Sequence, residues 1–256
     1  MQFDLTQPNP GRMIDYWLGG SHNFEFDRQL ADQVAERFPT IRQIIPANRA
    51  LVKRGVEYFH ALGLRAILDL GAALPTCDNT HMVAAALDPA IKVLYGDIDP
   101  ITVAYGQELL RGDPNALYLQ CDAADPRALL DSAAARQFLG EERRVGILFL
   151  DLAHTLDDDQ LRAAWHSLYE WAAPGSFLFI SNASEKWSTD SELTAAREVY
   201  GLAHLTGHCR RPAELRALAD PWREIAEDRA NPPIQSEPQS SVALNQIPGY
   251  AAMLCK

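Results

Sequence analysis

From Ala66 onward the chain repeats one unit: a short apolar run, a turn, then an amphipathic stretch long enough for a helix. The apolar runs are Ala66–Leu70, Ile91–Tyr95, Ala116–Gln120, Val145–Leu150 and Ser176–Ile180. Runs this short, bounded by turn residues, read as buried strands. Strands that alternate with helices pair in parallel through right-handed crossovers. Two of the helices carry explicit start signals, Asp99-Pro100 and Asp125-Pro126, an acid at the N-cap followed by proline at the first helical position. A third runs from Asp157 to Trp171, and Pro174-Gly175 turns the chain into the fifth strand. Trp222–Arg229 and Tyr250–Cys255 read as two more strands, joined by a Pro/Ser/Gln-rich loop over residues 231–249. Without a helix between them they form an antiparallel hairpin at the sheet edge. The fold class is α/β, a Rossmann-like, mostly parallel sheet of seven strands with the last one antiparallel.

The first 62 residues follow a different period and predict helices. Arg12–Leu18 carries Met13, Ile14, Trp17 and Leu18 at helical spacing and stops at Gly19-Gly20. A second helix runs from Phe24 to Phe38, ahead of Pro39. A third runs from Pro46 to Leu62, with Leu51, Val52, Val56, Phe59 and Leu62 on one face and Gly63 as its C-terminal glycine.

Charge and cysteine usage narrow the function. The formal net charge of −11 disfavours nucleic acid and anionic lipid, whose phosphates are held by clustered Lys and Arg. Cys77, Cys121, Cys209 and Cys255 form no CxxC pair, which argues against a zinc knuckle or a thioredoxin-type motif. The start of the chain has neither a basic segment nor an apolar run of signal-peptide type, and Val145–Leu150 is far too short to span a bilayer. The expectation is a cytoplasmic protein with reduced thiols, bound to no membrane.

In an open parallel sheet, ligands bind beyond the C-terminal ends of the strands, so the residues that follow each strand are the candidates. They are Asp69-Leu70-Gly71-Ala72-Ala73-Leu74-Pro75-Thr76, Gly96-Asp97-Ile98-Asp99-Pro100, Gln120-Cys121-Asp122-Ala123 and Asp151-Leu152-Ala153-His154. Gly71 allows close backbone approach to a ligand, with a plain tight turn as the alternative. Asp97 ends its strand too early to cap the next helix and reads as an acceptor for a ribose diol, whereas Asp99 reads as a helix cap. Asp122 either accepts from an exocyclic amine or opens an Asx-turn. All of these fall on one sheet edge.

These segments resemble class I S-adenosylmethionine-dependent methyltransferases. More narrowly they resemble an actinobacterial-type S-adenosyl methyltransferase family that was formerly a domain of unknown function. The matching stretches are RMIDYWLGGSHNFEFDR (12–28), PANRALVKRGVEY (46–58), ILDLGAALPTCDNTH (67–81), VLYGDIDPITVAYG (93–106), DLAHTLDDDQ (151–160) and APGSFLFISNAS (173–184). The most specific is Asp15-Tyr-x-Leu-Gly-Gly-x-x-Asn-Phe24, which generic methyltransferases lack. The resemblance implies a helical cap over residues 1–62 and a cofactor domain over residues 63–256, with S-adenosyl-L-methionine as cofactor. It implies that the loop Asp69, Gly71, Ala72 and Leu74 wraps the methionine moiety, Asp97 holds the ribose, Ile98 packs on adenine, and Asp122 and Ala123 meet the adenine edge. Asp151 and His154 would face the acceptor, with His154 the first candidate for a general base and Asp151 the second. Tyr16, Gly19, Gly20, Asn23 and Arg49 would lid the site. The family's Gly-Thr-Gly-Leu-Pro-Thr is here Gly71-Ala-Ala-Leu-Pro-Thr76, so Ala73 replaces the second glycine. If that position needs positive φ, alanine costs on the order of 1 kcal/mol there and crowds the carboxypropyl group.

The leading expectation is methyl transfer to a small-molecule acceptor. A non-catalytic cofactor-binding or regulatory protein and transfer of the aminocarboxypropyl group are the alternatives, and the missing GxGxxG signature disfavours a nicotinamide dehydrogenase. No metal is expected: Asp157-Asp158-Asp159 reads as a helix start that complements the dipole, and His204, His208 and Cys209 are a weak zinc set beside Gly207. Cys77 reads as a core-like thiol, and Trp165, Tyr169 and Trp171 as packing for the helix they occupy. A homodimer is compatible with these readings.

Overall fold

A computed structural model describes residues 8–76, 78–182, 207–208, 210–225 and 250–256. Three helices come first, α1 (Pro10–Trp17), α2 (Glu25–Arg37) and α3 (Ile41–Ala61). Strands and helices then alternate: β1 (Ala66–Leu70), α4 (Thr80–Leu87), β2 (Lys92–Asp97), α5 (Pro100–Leu109), β3 (Ala116–Gln120), α6 (Pro126–Leu130), α7 (Ala133–Leu139), β4 (Gly146–Phe149), α8 (Asp158–Trp171) and β5 (Phe177–Asn182). Among the described residues the chain finishes with α9 (Pro212–Leu218), β6 (Arg223–Glu224) and β7 (Tyr250–Cys255). The seven strands form one sheet in the order β3-β2-β1-β4-β5-β7-β6. β1 to β5 run parallel, and β7 pairs antiparallel with both β5 and β6. The predicted fold class and edge hairpin are therefore present. Residues 226–249, which include the predicted connecting loop and the end of its first strand, lie outside the described residues.

Local signals acted where they were expected. The Asp99 carboxylate accepts from Thr102 N, the Asp125 carboxylate from Ala128 N, and Asp157 forms a reciprocal capping box with Gln160. Several boundaries differ, among them the start of α1 at Pro10 and the end of β5 at Asn182, and three differences have a visible cause. β2 extends past Tyr95 because the ladder with β3 continues through Gly96↔Leu119 and Asp97↔Gln120, beyond the last apolar side chain. The stretch after Asp125 splits into two helices because Ser132 caps a new one through Ala135 N. α3 starts at Ile41 and contains Pro46, where the sequence predicted a start at the proline. Proline forfeits one intrahelical hydrogen bond there. The first turn persists because Ile41, Ile44 and Ile45 bury against α1 and α2.

Helices cover both faces of the sheet. On one face α3, α4 and α5 pack through Leu51, Val56, Phe59, Ala84 and Val103 against Ile67, Val93, Tyr95 and Leu148. Gly55 lets α3 approach closely, since a Cβ there would lie 2.7 Å from Leu148 Cδ2. On the other face Trp165 and Trp171 of α8 fill the core as predicted; Trp165 meets Phe149 edge-on, and Trp222 Nε1 donates to the Trp165 carbonyl at 2.8 Å. Among the described residues no helix is long and apolar enough to cross a membrane.

The N-terminal helices are tied together around one buried carboxylate. Asp27 on α2 accepts from Asn9 N at 2.9 Å, Arg12 Nε at 2.7 Å and Phe24 N at 2.8 Å. Arg12 and Asp27 are 1% and 0% exposed, and the guanidinium also lies over the Phe24 ring at 5.2 Å. Removing one partner of a buried ion pair leaves the other charge uncompensated, at about 3–5 kcal/mol. Asp27→Ala should therefore lower the melting temperature by about 6–20 °C for a chain of this length, read by calorimetry; a loss within 2 °C would show that this pair does not hold the N-terminal helices together.

Candidate active site

The parallel strands bring the loops after β1, β2, β3 and β4 to one edge. After β1 the chain turns at Gly71, φ +68°, where any Cβ would lie 2.8 Å from Leu152. Gly71 N and Ala72 N both donate to the Gly96 carbonyl, at 2.8 and 3.3 Å. Ala73 has φ +54°, so the position does demand the conformation that its replacement of glycine called into question. Its N–H donates to Asp97 Oδ2 at 3.0 Å, and its carbonyl accepts from the Tyr118 hydroxyl at 2.7 Å. The Ala73 methyl is turned toward α1: a Cβ built on Gly11 would lie 3.7 Å from it. Leu74 is buried, and its carbonyl accepts from Asn79 Nδ2 at 3.2 Å.

Two acids give this edge its charge. Asp69, near the end of β1, is buried and accepts from the Thr80 hydroxyl. Burial pushes its carboxyl up to about 6, against the Thr80 hydrogen bond and the positive charge of Arg49. Arg49 reaches the site from α3 and donates to Asn79 Oδ1 at 2.9 Å. Asp97 ends β2, and its Oδ1 accepts from Asp99 N at 3.0 Å. Burial raises its pKa, against the hydrogen bonds from the Asp99 and Ala73 backbone. Ile98 follows, 61% exposed at the strand end. Asp122 is exposed, and its Oδ1 accepts from Ala124 N at 2.9 Å, the Asx-turn alternative. Ala123 is buried in the core beneath.

The loop after β4 lies against the β1 loop through Leu152 and Gly71. Asp151 has φ +50°, and its N–H donates to Ser181 Oγ at 2.8 Å. Ser181 Oγ in turn donates to Asn48 Oδ1 on α3 at 3.1 Å. His154 sits in a short 3-10 turn (Ala153–Thr155), 7% exposed, with Nδ1 3.6 Å from Asp151 Oδ1. The two predicted acceptor-side residues are thus neighbours, beside the β1 loop.

Of the predicted lid residues, Arg49 faces Asn79 beside the β1 loop, whereas Tyr16, Gly19, Gly20 and Asn23 belong to contacts within α1, α2 and the turn between them. Asp15 is buried and accepts from His22 N at 2.7 Å and Asn23 Nδ2 at 2.9 Å. Asn23 Nδ2 also donates to the Gly20 carbonyl, and a Cβ on Gly20 would overlap the Asp15 carboxylate. Gly19 has φ +77°, and the Tyr16 hydroxyl lies 3.3 Å from both oxygens of Asp32 on α2. Contact between cap and site is made instead by Asn9, whose Nδ2 donates to Asp99 Oδ2 at 2.6 Å, and by Gly11, packed between Thr102 and Ala73. Sequence reasoning missed Asn9, Asn48, Asn79, Thr80, Tyr118 and Ser181; the contacts of Asn48, Thr80, Tyr118 and Ser181 cross the fold, where no spacing rule reports them, whereas Asn9 and Asn79 also cap α1 and α4, and Asn9-Pro10 is a local start signal that could have found the first. Cys77, His204 and Cys209 lie outside the described residues.

These residues fit S-adenosylmethionine. A carboxylate ends β2, an exposed aliphatic side chain follows it, and the β1 loop turns at a glycine where no side chain fits. In addition, the buried Thr76 Oγ1 has no hydrogen-bond partner among the described residues. Comparison with known proteins agrees. A family model described as S-adenosyl methyltransferase matches residues 1–226. Among solved structures, a candidate methyltransferase from Thermobifida fusca superposes with a TM-score of 0.83 at 29% identity, over 99% of this chain and 96% of that one. A DUF574 family protein from Streptomyces avermitilis gives 0.84 at 24% identity, over the full length of both chains. Magnesium protoporphyrin IX methyltransferase from Synechocystis, with bound S-adenosylhomocysteine, shares the fold at a TM-score of 0.52 and 16% identity, over 90% and 93% of the two chains. No curated protein matches the sequence. A chain that carries this sheet order, this strand-end chemistry and a family match across most of its length belongs to the S-adenosyl methyltransferase family, with S-adenosylmethionine as its cofactor.

Proposed function

We propose that this protein transfers a methyl group from S-adenosylmethionine to a small-molecule acceptor held between the β4 loop and the cap. The observation that carries the reading is the continuous edge from Asp69 through Gly71 to Asp97 and Ile98, with the Asp151–His154 turn packed against it. When bound, the cofactor would supply an electrophilic methyl on a sulfonium, for an in-line displacement in which the acceptor–carbon bond forms as the carbon–sulfur bond breaks and the thioether S-adenosylhomocysteine leaves. The protein's task is alignment, and near-attack geometry contributes up to about 7–11 kcal/mol to such a step. Asp97 orients the ribose, Ile98 packs on the adenine ring, and Asp122 and Ala123 border the adenine edge. Arg49 and Asp69 set the charge near the methionine end. His154, held next to Asp151, accepts a proton at an imidazole nitrogen where the acceptor must lose one. The cap, built on Tyr16, Gly19, Gly20 and Asn23, limits the entry of water and large substrates. A net charge of −11 supports an acceptor that is not a nucleic acid.

Isothermal titration with S-adenosylhomocysteine tests the cofactor site. The wild type should bind, and Asp97→Ala should weaken binding at least about tenfold, the loss of one charge-assisted hydrogen bond. Unchanged affinity in Asp97→Ala would move the ribose elsewhere.

Asp69 adds a pH signature. Its folded pKa, about 6, lies above its unfolded value, so the native state holds the proton more tightly. The cofactor-free protein should lose roughly 2–3 kcal/mol of stability as pH rises from about 4 to about 6, relative to Asp69→Asn. Over the same window Asp69 ionises, and affinity for the cofactor's ammonium group should rise. Denaturant titrations of the two proteins at pH 4.5 and 7 read the first effect; parallel curves would contradict the burial assigned to Asp69.

A further inference from the structure

Ala73 holds a backbone conformation that suits glycine, φ +54°. In this region a Cβ crowds the following carbonyl, so an unsupported alanine relaxes toward negative φ. Here both backbone polar groups of the residue are gripped by side chains from other strands. The N–H donates to Asp97 Oδ2 at the end of β2, and the carbonyl accepts from the Tyr118 hydroxyl on β3. β3 lies on the far side of β2 from the loop, and Tyr118 reaches across it.

The tyrosine is built to do this. It is 1% exposed and stacks on Tyr95 with centroids 5.3 Å apart and planes 12° from parallel. Gly106 on α5 clears its place, since a Cβ there would lie 2.3 Å from the Tyr118 ring. Burial holds the phenol protonated, so it donates at any ordinary pH. Tyr95 is itself fixed: its hydroxyl accepts from His81 N at 2.7 Å. A rigid, dry hydroxyl aimed at a strained carbonyl restrains that peptide better than a mobile surface group could. On the opposite side, Gly11 of α1 leaves room for the methyl that glycine would not have carried.

We propose that Tyr118 is a positioning residue for methyl transfer: with Asp97 it clamps the two peptide groups that flank the Ala73 Cα, so that a loop carrying alanine keeps the shape the cofactor requires. Tyr118 acts through the loop and does not touch the cofactor. The proposal rests on cofactor binding at this loop.

A cycle of four proteins tests it: wild type, Tyr118→Phe, Ala73→Gly and the double variant. Phenylalanine keeps the stacked ring and removes only the hydroxyl. Two readouts are taken, S-adenosylhomocysteine affinity by titration and exchange of the residue-73 amide by NMR in the cofactor-free protein. Tyr118→Phe should weaken affinity and speed exchange, each about tenfold, for a buried hydrogen bond to a strained group. In the Ala73→Gly background the same change should cost less than about twofold in affinity, because glycine holds positive φ without help. Equal losses in both backgrounds would reduce Tyr118 to a core residue and overturn the clamp, as would unchanged exchange in Tyr118→Phe. If the wild type fails to bind, the cofactor assignment falls, while the exchange rates still decide whether the clamp exists.

Discussion

Parallel strands leave their C-terminal backbone groups at one edge, where no further strand pairs with them, and each group must find a partner in a neighbouring loop. In this protein the partners link the loops to one another. Gly71 N donates to the Gly96 carbonyl, Cys121 N to the Asp97 carbonyl, and Ala73 N to the Asp97 carboxylate. Asp151 N donates to Ser181, and Ser181 to Asn48 on α3. The edge is therefore hydrogen-bonded across β1, β2 and β3 on one side and across β4, β5 and α3 on the other. Leu152 against Gly71 joins the two sides. A ligand lying along this edge meets a surface whose atoms are already fixed, which is the condition for alignment-based catalysis.

The same edge gathers the strained backbone. Ala73, Asp78 and Asp151 have positive φ, and among the described residues no other non-glycine position does. Such residues persist where their surroundings over-determine them. For Ala73 the surroundings include the cap, since Gly11 packs against both Ala73 and Thr102 and Asn9 bonds to Asp99. The buried Arg12–Asp27 pair, which also binds Asn9 N, thus lies two steps from the β1 loop. Stability of the cap and shape of the loop are physically connected through Asn9.

What the sequence revealed and what it hid divide along one line, whether a residue acts on its chain neighbours or across the fold. Asp99 and Asp125 were legible as caps because a cap bonds to the amide three residues on. The strands were legible because burial on both faces leaves an unbroken apolar run. The start of α3 was misjudged because a local rule about Pro46 competes with burial of Ile41, Ile44 and Ile45, and burial depends on helices far along the chain. Ala73 was visible as a departure from a motif, and its positive φ follows. What holds it there was invisible, because 45 residues separate Tyr118 from the carbonyl it grips. Tyr16, Gly19, Gly20 and Asn23 stood out by their pattern; the structure ties them to Asp15 and Asp32 inside the cap, an organisation no pattern specifies.

Whether one strand edge, beside the N-terminal helices, holds the cofactor is open to direct observation. A crystal structure grown with S-adenosylhomocysteine tests it most directly. The ribose hydroxyls are expected on Asp97, the adenine over Ile98 and the sulfur facing the Asp151–His154 turn. Density for the ligand at any other place, or none at millimolar concentration, would contradict this placement.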